Sequence, residues 1–250
     1  MPRIVVSTPM FNGQCYQAYV ESLLKLQFVF LQSGIEMAFH TLKNSSFIPK
    51  ARNLLVDMFM QEEGATHLLF IDADMSFDAS DILRMIGADL DVLGAIYSSK
   101  HINWPKVVQI ARQHPGLSPQ DLSWLASAYG TFTPMSGQLE IPVDKPFEVQ
   151  GIGTGILLIR RAVFEKLEQA YPDLRTLGES LGTDPRLISA PFEPLRKYGG
   201  LLSEDISFCE RWREIGGRIH ACAWGRTGHV GTHEYLSDVA NAARLRIPLG

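Results

Sequence analysis

The sequence predicts an α/β fold, in which helices cover both faces of a mostly parallel sheet. In the first hundred residues, apolar runs of strand length alternate with longer segments whose apolar residues recur at helical spacing. The chain has 250 residues, of which 46% are hydrophobic and 20% are charged. Such a composition is typical of a globular protein with a substantial core, and we expect one domain.

The first half of the chain supplies the regular part of this pattern. The predicted strands are Arg3–Thr8, Ile35–Leu42, Thr66–Ile71 and Asp91–Tyr97, and the predicted helices are Gln14–Gln32, Ile48–Glu63 and Ala79–Ala88. Gly34 and Gly64 end the first two helices, and Asp78 is placed to cap the third. In sheets of this kind, ligands bind beyond the carboxyl ends of the strands, so we expect a site at that edge.

The second half of the chain is less regular. The segment 114–145 is predicted to be an insertion, and Tyr171–Gly200, which is rich in Pro and Gly, is predicted to be mobile. Ser203 is expected to cap a helix. The remaining predicted elements are a strand at Lys106–Arg112, a helix at Pro119–Tyr129, two apolar segments within Phe147–Arg160, helices at Ala162–Ala170 and Glu204–Ile215, a strand at Arg218–Ala223 and a terminal helix at Glu234–Arg246.

Charge, cysteine content and the length of the apolar runs indicate which partners and which cellular compartment to expect. The formal net charge is −4, which disfavours a protein whose stable partner is nucleic acid. Three widely spaced cysteines without a CxxC motif are typical of a reducing compartment. Since no apolar run approaches about 20 residues, we expect no transmembrane segment, no leader peptide and a cytoplasmic location.

Two carboxylates, Asp72 and Asp74, directly follow the apolar strand Leu68–Ile71. Residues i and i+2 of an extended chain point the same way, so both side chains can face one cation. Carboxylate oxygens suit Mg²⁺ or Mn²⁺, which bridge protein carboxylates to substrate phosphates. A bare D-x-D is common, and an acidic loop without a ligand is the alternative.

The chain here resembles the GT-A class of DxD-containing nucleotide-sugar glycosyltransferases, in particular its small family-2-like or Anp1-like members. The resemblance rests on the strand, the motif Asp72-Ala73-Asp74 and the helix that follows Asp78. Four further segments match in the same order: Thr8-Pro9, Pro49–Asn53, Leu202–Asp205 and Gly228–Gly231. The resemblance implies a single GT-A-like, Rossmann-like domain. Residues 1–100 are then the nucleotide-binding half, and residues 101–250 are the acceptor-binding half.

The resemblance also implies roles for individual residues. It implies that Mn²⁺ or Mg²⁺ is held by Asp72, Asp74 and His229, and that Asp205 is the catalytic base with Glu204 beside it. It implies that the nucleotide-sugar donor contacts Thr8, Pro9, Arg52, Asn53, Asp72 and Lys100.

Some of these residues can also be interpreted without the resemblance. Arg52 and Asn53 lie in the first turn of a predicted helix, where backbone N–H groups and a guanidinium bind anions, although an exposed arginine is the alternative. Lys100 is as consistent with a solvated lysine as with a phosphate ligand. No helix follows Gly151–Gly155, so this segment is not a dinucleotide fingerprint. Close approach of a sugar or acceptor to Gly153, Thr154 and Gly155 is one interpretation, and a β-bulge is the other.

The function that the sequence favours is metal-dependent transfer of a sugar from a nucleotide-diphosphate sugar to a hydroxyl acceptor. A nucleotidyltransferase on a related fold is disfavoured, because Thr8–Gln14 has one glycine and no basic residue. A non-catalytic nucleotide-sugar-binding module is disfavoured by the joint presence of the acidic residues and His229. A zinc hydrolase is disfavoured because Gly228 and Gly231 interrupt a helix through His229 and His233.

Overall fold

The computed structural model describes residues 2–125, 128, 131–138, 140–178 and 186–232. The helices are α1 (Gln17–Gln32), α2 (Ile48–Gln61), α3 (Ala79–Gly87), α4 (Trp104–Gln113), α5 (Pro119–Leu125), α6 (Arg161–Ala170) and α7 (Glu204–Glu214). The strands are β1 (Arg3–Met10), β2 (Glu36–Lys43), β3 (His67–Ile71), β4 (Met75–Ser76), β5 (Val92–Ala95), β6 (Phe132–Pro134), β7 (Phe147–Ile152), β8 (Ile156–Arg160), β9 (Arg175–Gly178), β10 (Arg186–Ser189), β11 (Arg196–Lys197), β12 (Gly200–Leu201), β13 (Ile219–Cys222) and β14 (Gly228–His229). The predicted α/β class is confirmed.

The central sheet has eight strands in the order β2-β1-β3-β8-β5-β13-β7-β6. Strand β1 pairs in parallel with β2 and β3, and β5 pairs in parallel with β13. Strand β8 runs antiparallel between β3 and β5, with Ile156 opposite Ile71. The carboxyl ends of β1, β3 and β5 and the amino end of β8 therefore meet at one edge of the sheet. The backbone N–H of Asp72 donates there to the carbonyl of Gly155 at 3.0 Å.

Helices cover both faces of this sheet, as predicted, because side chains alternate along each strand. Leu69 and Ile71 belong to one core, which includes residues of α1 and α3. Leu68 and Phe70 belong to the other, which includes residues of α2, α6 and α7. All four side chains have no exposed surface, so β3 is held between two apolar layers that fix its carboxyl end.

The predicted strand at Lys106–Arg112 is wrong, because this segment lies in helix α4. The Asn103 side chain accepts a hydrogen bond from the Lys106 backbone N–H at 3.1 Å, and Pro105 lies in the first turn. In the sequence, Asn103 and Pro105 are the residues that indicate the start of a helix, as an N-cap and a first-turn proline. No α4 residue is buried, so its apolar run lies outside the sheet core.

Ser203 does not cap α7 as predicted. Its hydroxyl donates to Asp205 Oδ1 and makes no capping bond to the helix backbone, because Asp205 Oδ1 itself accepts from the Ile206 N–H at 2.8 Å. Asp78 does cap α3, since it accepts a hydrogen bond from the Ser80 N–H at 2.8 Å.

Two short hairpins, β9–β10 and β11–β12, lie in the segment predicted to be mobile. The turn of the second contains Tyr198 with φ 55° and Gly199 with φ 78°, and this pair of positive φ values is typical of a tight hairpin turn. The predicted terminal helix Glu234–Arg246 and the last four residues of the predicted helix Pro119–Tyr129, apart from Ala128, lie outside the described residues. Within the described part of the chain, no helix has the length and apolarity required to cross a membrane.

Candidate active site

A short β-bridge brings the late histidine to the predicted acidic pair. Strand β4 directly follows Asp74 and pairs antiparallel with β14, so His229 lies opposite Met75. The Val230 N–H donates to the Asp74 carbonyl at 2.8 Å. This backbone pairing fixes the position of Asp74 relative to His229.

Asp74 contacts a lysine and a histidine through different oxygens. The Lys100 ammonium contacts Oδ2, and His229 Nε2 lies 3.5 Å from Oδ1. Within the described part of the chain, Oδ1 is buried and makes no hydrogen bond. Burial opposes ionisation of Asp74, but its contacts with His229 and Lys100 outweigh this effect and hold its pKa below the usual value.

The imidazole of His229 has a defined orientation. Nδ1 lies 2.8 Å from the carbonyl oxygen of Ser98, so Nδ1 carries the proton and Nε2 faces Asp74. Burial lowers the pKa of His229, but Asp74 and the Ser98 carbonyl outweigh it, and the pKa lies above its ordinary value. A histidine whose other nitrogen donates to a carbonyl is the arrangement found in metal ligands.

Asp72 faces a different partner. Arg52 Nη2 lies 3.1 and 3.3 Å from the two Asp72 oxygens, and Arg52 Nε lies 3.2 Å from Glu204 Oε1. Arg52 is only 4% exposed, and its guanidinium lies over the Phe70 ring, 5.2 Å from the ring centroid. Burial lowers the pKa of Arg52, but the two carboxylates outweigh it and raise the pKa above its usual value. A charged Arg52 therefore connects the end of β3 to the start of α7.

The two acids at the start of α7 have different surroundings. Glu204 is paired with the buried Arg52, whereas Asp205 forms no ion pair among the described residues. Asp205 is half-buried, and its Oδ1 accepts hydrogen bonds from the Ser203 hydroxyl and the Ile206 N–H. Within that same part of the chain, its other oxygen, Oδ2, makes no hydrogen bond or ion pair. Of this pair, Glu204 is therefore held by an ion pair with Arg52 through Oε1, and Asp205 is not.

Three of the residues predicted to contact the nucleotide-sugar donor differ in exposure. Thr8 is fully buried, with its hydroxyl 2.6 Å from the Tyr19 hydroxyl. Asn53 is also fully buried, and its Oδ1 accepts from the Phe192 N–H at 2.9 Å. Pro9 is half-buried at the end of β1. The Thr8 side chain joins β1 to α1, and the Asn53 side chain joins α2 to the backbone at Phe192. Contact of either residue with a nucleotide stays a prediction.

Tyr97 fills the space that the sequence assigned to a ligand at Gly153–Gly155. A Cβ atom on Gly153 would lie 2.4 Å from the Tyr97 hydroxyl, and one on Gly155 would lie 2.6 Å from Cζ of the ring. The hydroxyl also accepts a hydrogen bond from the Gly155 N–H at 3.1 Å. These glycines therefore make room for Tyr97, and Thr154 is 2% exposed. Contact of this segment with a sugar stays a prediction.

Sequence reasoning missed Tyr97 as a residue of the site. Its ring lies edge-on to His229, with the centroids 5.5 Å apart, so it supports the histidine as well as the glycine segment. In the sequence it was only the last residue of a predicted strand. Tyr97 and the three alternating glycines are more than fifty positions apart in the sequence, so no local pattern indicates that they are in contact.

No protein-family model matches the chain, and neither does any curated protein. Among solved structures, A197 from STIV is 17% identical with a TM-score of 0.51, over 92% of this chain and 86% of that one. A Drosophila β-1,4-galactosyltransferase 7 mutant in complex with manganese, UDP-Gal and xylobiose is 11% identical with a TM-score of 0.48, over 93% and 72%. A glycosyltransferase involved in glycosylation of the major capsid of PBCV-1 is 10% identical with a TM-score of 0.36, over 69% and 67%. The latter two are too distant to support an inference, whereas the likeness to A197 establishes a shared fold.

Proposed function

We propose that this chain is a divalent-metal-dependent glycosyltransferase that moves a sugar from a nucleotide-diphosphate sugar to a hydroxyl acceptor. The observation that carries the proposal is the set of charged groups at the end of β3. Asp72 and Asp74 meet Arg52, Lys100 and His229 there, at the carboxyl edge of the parallel strands. Carboxylates beside basic groups at this edge suit a ligand that combines a diphosphate with a divalent cation.

Two of the three predicted metal ligands fit a cation. The buried Asp74 Oδ1 makes no hydrogen bond within the described residues, and Nε2 of His229 faces it. Both oxygens of Asp72 accept from Arg52, and no group of three His, Cys, Asp or Glu side chains in the described part of the chain is arranged to hold a metal. We therefore assign Asp74 and His229 as ligands of Mn²⁺ or Mg²⁺ and expect donor phosphates to add further ligands. The bound cation supplies Lewis-acid stabilisation of the diphosphate leaving group.

The donor site is assigned to the ends of β1 and β3. Pro9 and Asp72 offer partly exposed surface there, while Thr8 and Asn53 support that surface from the core. Arg52 orients Asp72, and burial raises the pKa of that carboxyl above its usual value although Arg52 opposes this effect. Tyr97 occupies the space beside Gly153 and Gly155, so the proposed contact of the sugar or acceptor with Gly153–Gly155 requires Tyr97 to move away from these residues.

Asp205 is assigned as the general base of an inverting reaction. It accepts the proton of the acceptor hydroxyl while that oxygen bonds to the anomeric carbon of the donor. The bond from this carbon to the diphosphate oxygen breaks, and the electron pair leaves with the diphosphate. Glu204 is a positioning residue, because its carboxylate is paired with Arg52.

A turnover measurement tests this proposal. The purified chain is incubated with a panel of nucleotide sugars, with Mn²⁺ or with EDTA, and the released nucleoside diphosphate is measured by chromatography. We expect release from at least one donor only with the cation, and loss of release in Asp74→Asn. Release that persists in EDTA contradicts the metal mechanism. Binding of a donor without any release in the presence of acceptors identifies a binding module instead.

We also propose a cytoplasmic location. Cys15, Cys209 and Cys222 are all unpaired in the structure. Free thiols fit a reducing compartment. Fractionation of the source cells with an antibody against the chain tests this assignment.

A further inference from the structure

Lys100 contacts the same carboxylate that is assigned to the divalent cation. Its ammonium contacts Oδ2 of Asp74, while Oδ1 faces His229. The Lys100 side chain is 40% exposed and that of Asp74 is 23% exposed, so solvent and ions reach the contact. The ion pair is therefore open to exchange, unlike the buried pair of Arg52 with Asp72.

The path of the Lys100 side chain is shaped by a glycine. A Cβ atom on Gly231 would lie 2.8 Å from Lys100 Cδ and 3.3 Å from Cγ. The hydrogen bond from His229 to Ser98 joins the segment that carries Lys100 to the segment that carries Gly231. The hydrogen bond from Val230 to the Asp74 carbonyl joins the same segment to the carboxylate. The stem of Lys100 is thus guided over Gly231 toward Asp74.

The charges of the site are already paired in this arrangement. Arg52 lies between Asp72 and Glu204, and Lys100 lies on Asp74. A divalent cation at Asp74 would face the Lys100 ammonium across one carboxylate group. Like charges at such short range repel when they are partly shielded from water, so each weakens the binding of the other to Asp74.

We propose that Lys100 is a built-in competitor for the divalent cation at Asp74. Its ammonium neutralises Asp74 in the metal-free protein and leaves the carboxylate when the cation binds. This inference rests on the proposed function, which supplies the cation. Lys100 therefore weakens cation binding as long as no other anion is present to receive its ammonium.

Titration with Mn²⁺ alone tests the proposal without any reaction. The free ion is measured by its electron paramagnetic resonance signal in the absence of nucleotide. We expect Lys100→Met to bind Mn²⁺ about tenfold more tightly than the wild type, because the competing charge is gone while the aliphatic stem remains. Lys100→Arg keeps the charge and should stay within about twofold of the wild type. Lys166→Met on α6 is the matched control for loss of one surface charge, and it should leave the affinity unchanged.

The outcomes separate this inference from the proposed function. Wild-type binding with equal or weaker binding by Lys100→Met overturns the competitor role and leaves the cation site intact. Absence of Mn²⁺ binding by both proteins without nucleotide overturns the competitor role, and the metal-dependent function is then tested separately by nucleotide release with Mn²⁺ or with EDTA. A tenfold gain in the wild-type background that is absent when Lys100→Met/Asp74→Asn is compared with Asp74→Asn alone supports the proposal and locates the gain at Asp74.

Discussion

Arg52 and Lys100 both contact a carboxylate of the acidic pair, but their surroundings give these contacts different strength. Arg52 is 4% exposed and bonds to Asp72 and Glu204, whereas the Lys100 side chain is 40% exposed and contacts only Asp74 among the described residues. Removing a buried partner leaves uncompensated charge, while an exposed ion pair exchanges readily with water. The first contact therefore supports the structure, and the second can be exchanged for a ligand.

We expect Arg52→Met to lower the free energy of unfolding by about 3–5 kcal/mol, because two carboxylates lose a buried partner. Lys100→Met should lower it by about 0–1 kcal/mol, since that ion pair is exposed. Urea denaturation monitored by circular dichroism measures both values. Similar small losses for the two variants contradict the structural role of Arg52.

We expect Asp205→Asn to reduce kcat by about 10²–10⁴ while donor binding stays unchanged, because the amide cannot accept the acceptor proton. Loss of a helix-end charge alone has a much smaller effect of about 0.3–1 kcal/mol. Single-turnover kinetics and donor titration provide the two readouts. A kcat near that of the wild type rules out the base role, and the anomeric configuration of the product then separates a retaining mechanism from action by Glu204.

At the scale of elements, the central sheet positions the acidic pair, while a short β-bridge and the loops position the residues around it. The bridge between β4 and β14 brings His229 to Asp74, and Tyr97, two residues after β5, packs on Gly153 and Gly155. Local apolar patterns predicted the strands of the sheet except β6, which lies in the segment predicted to be an insertion. They did not predict the bridge or the Tyr97 contact, because both depend on residues that are distant in sequence. The error at α4 has a different cause, because the missed signals, Asn103 and Pro105, are local and were outweighed by the apolar run.

We expect Gly155→Ala to destabilise the protein by about 1–3 kcal/mol, because the added methyl would overlap the Tyr97 ring. Gly87→Ala is the matched control. It lies at the end of α3 with nothing within 4 Å of the added atom, and it should stabilise by up to about 1 kcal/mol. Thermal denaturation compares the two variants, and a neutral Gly155→Ala would show that Tyr97 does not occupy this space.

We expect the hairpin β11–β12 to act as a lid that becomes more rigid when the donor binds. It lies within Glu193–Leu202, leads directly into Glu204 and Asp205, and is attached to α7 by Lys197, whose ammonium lies 2.6 Å from Glu210. Adjacent glycines at 199 and 200 supply a hinge. Limited proteolysis should cut this segment more slowly with nucleotide and Mn²⁺ present. Equal rates with and without them indicate a rigid loop.

For the whole molecule, the sheet order explains why residues from both halves of the chain meet. Strands β1 and β3 come from the first half, β8 and β13 from the second, and they belong to one sheet. Its carboxyl edge collects Asp72, Asp74 and Lys100 from the first half and His229 and Glu204 from the second. The sequence predicted this edge from the alternation of elements. It did not predict which cation pairs with which acid, because those choices depend on burial and loop geometry.

The central claim is that Asp74 holds a divalent cation which joins a nucleoside diphosphate to the protein. The most direct measurement is the Tm of wild type and Asp74→Asn with UDP, GDP or dTDP, each in Mn²⁺ or in EDTA. The account predicts that at least one nucleotide at 100 times its Kd raises the Tm of the wild type by about 5–10 °C with Mn²⁺, and that the rise is absent in EDTA and in Asp74→Asn. A rise of the same size in EDTA, or no rise with any of the nucleotides, would contradict it.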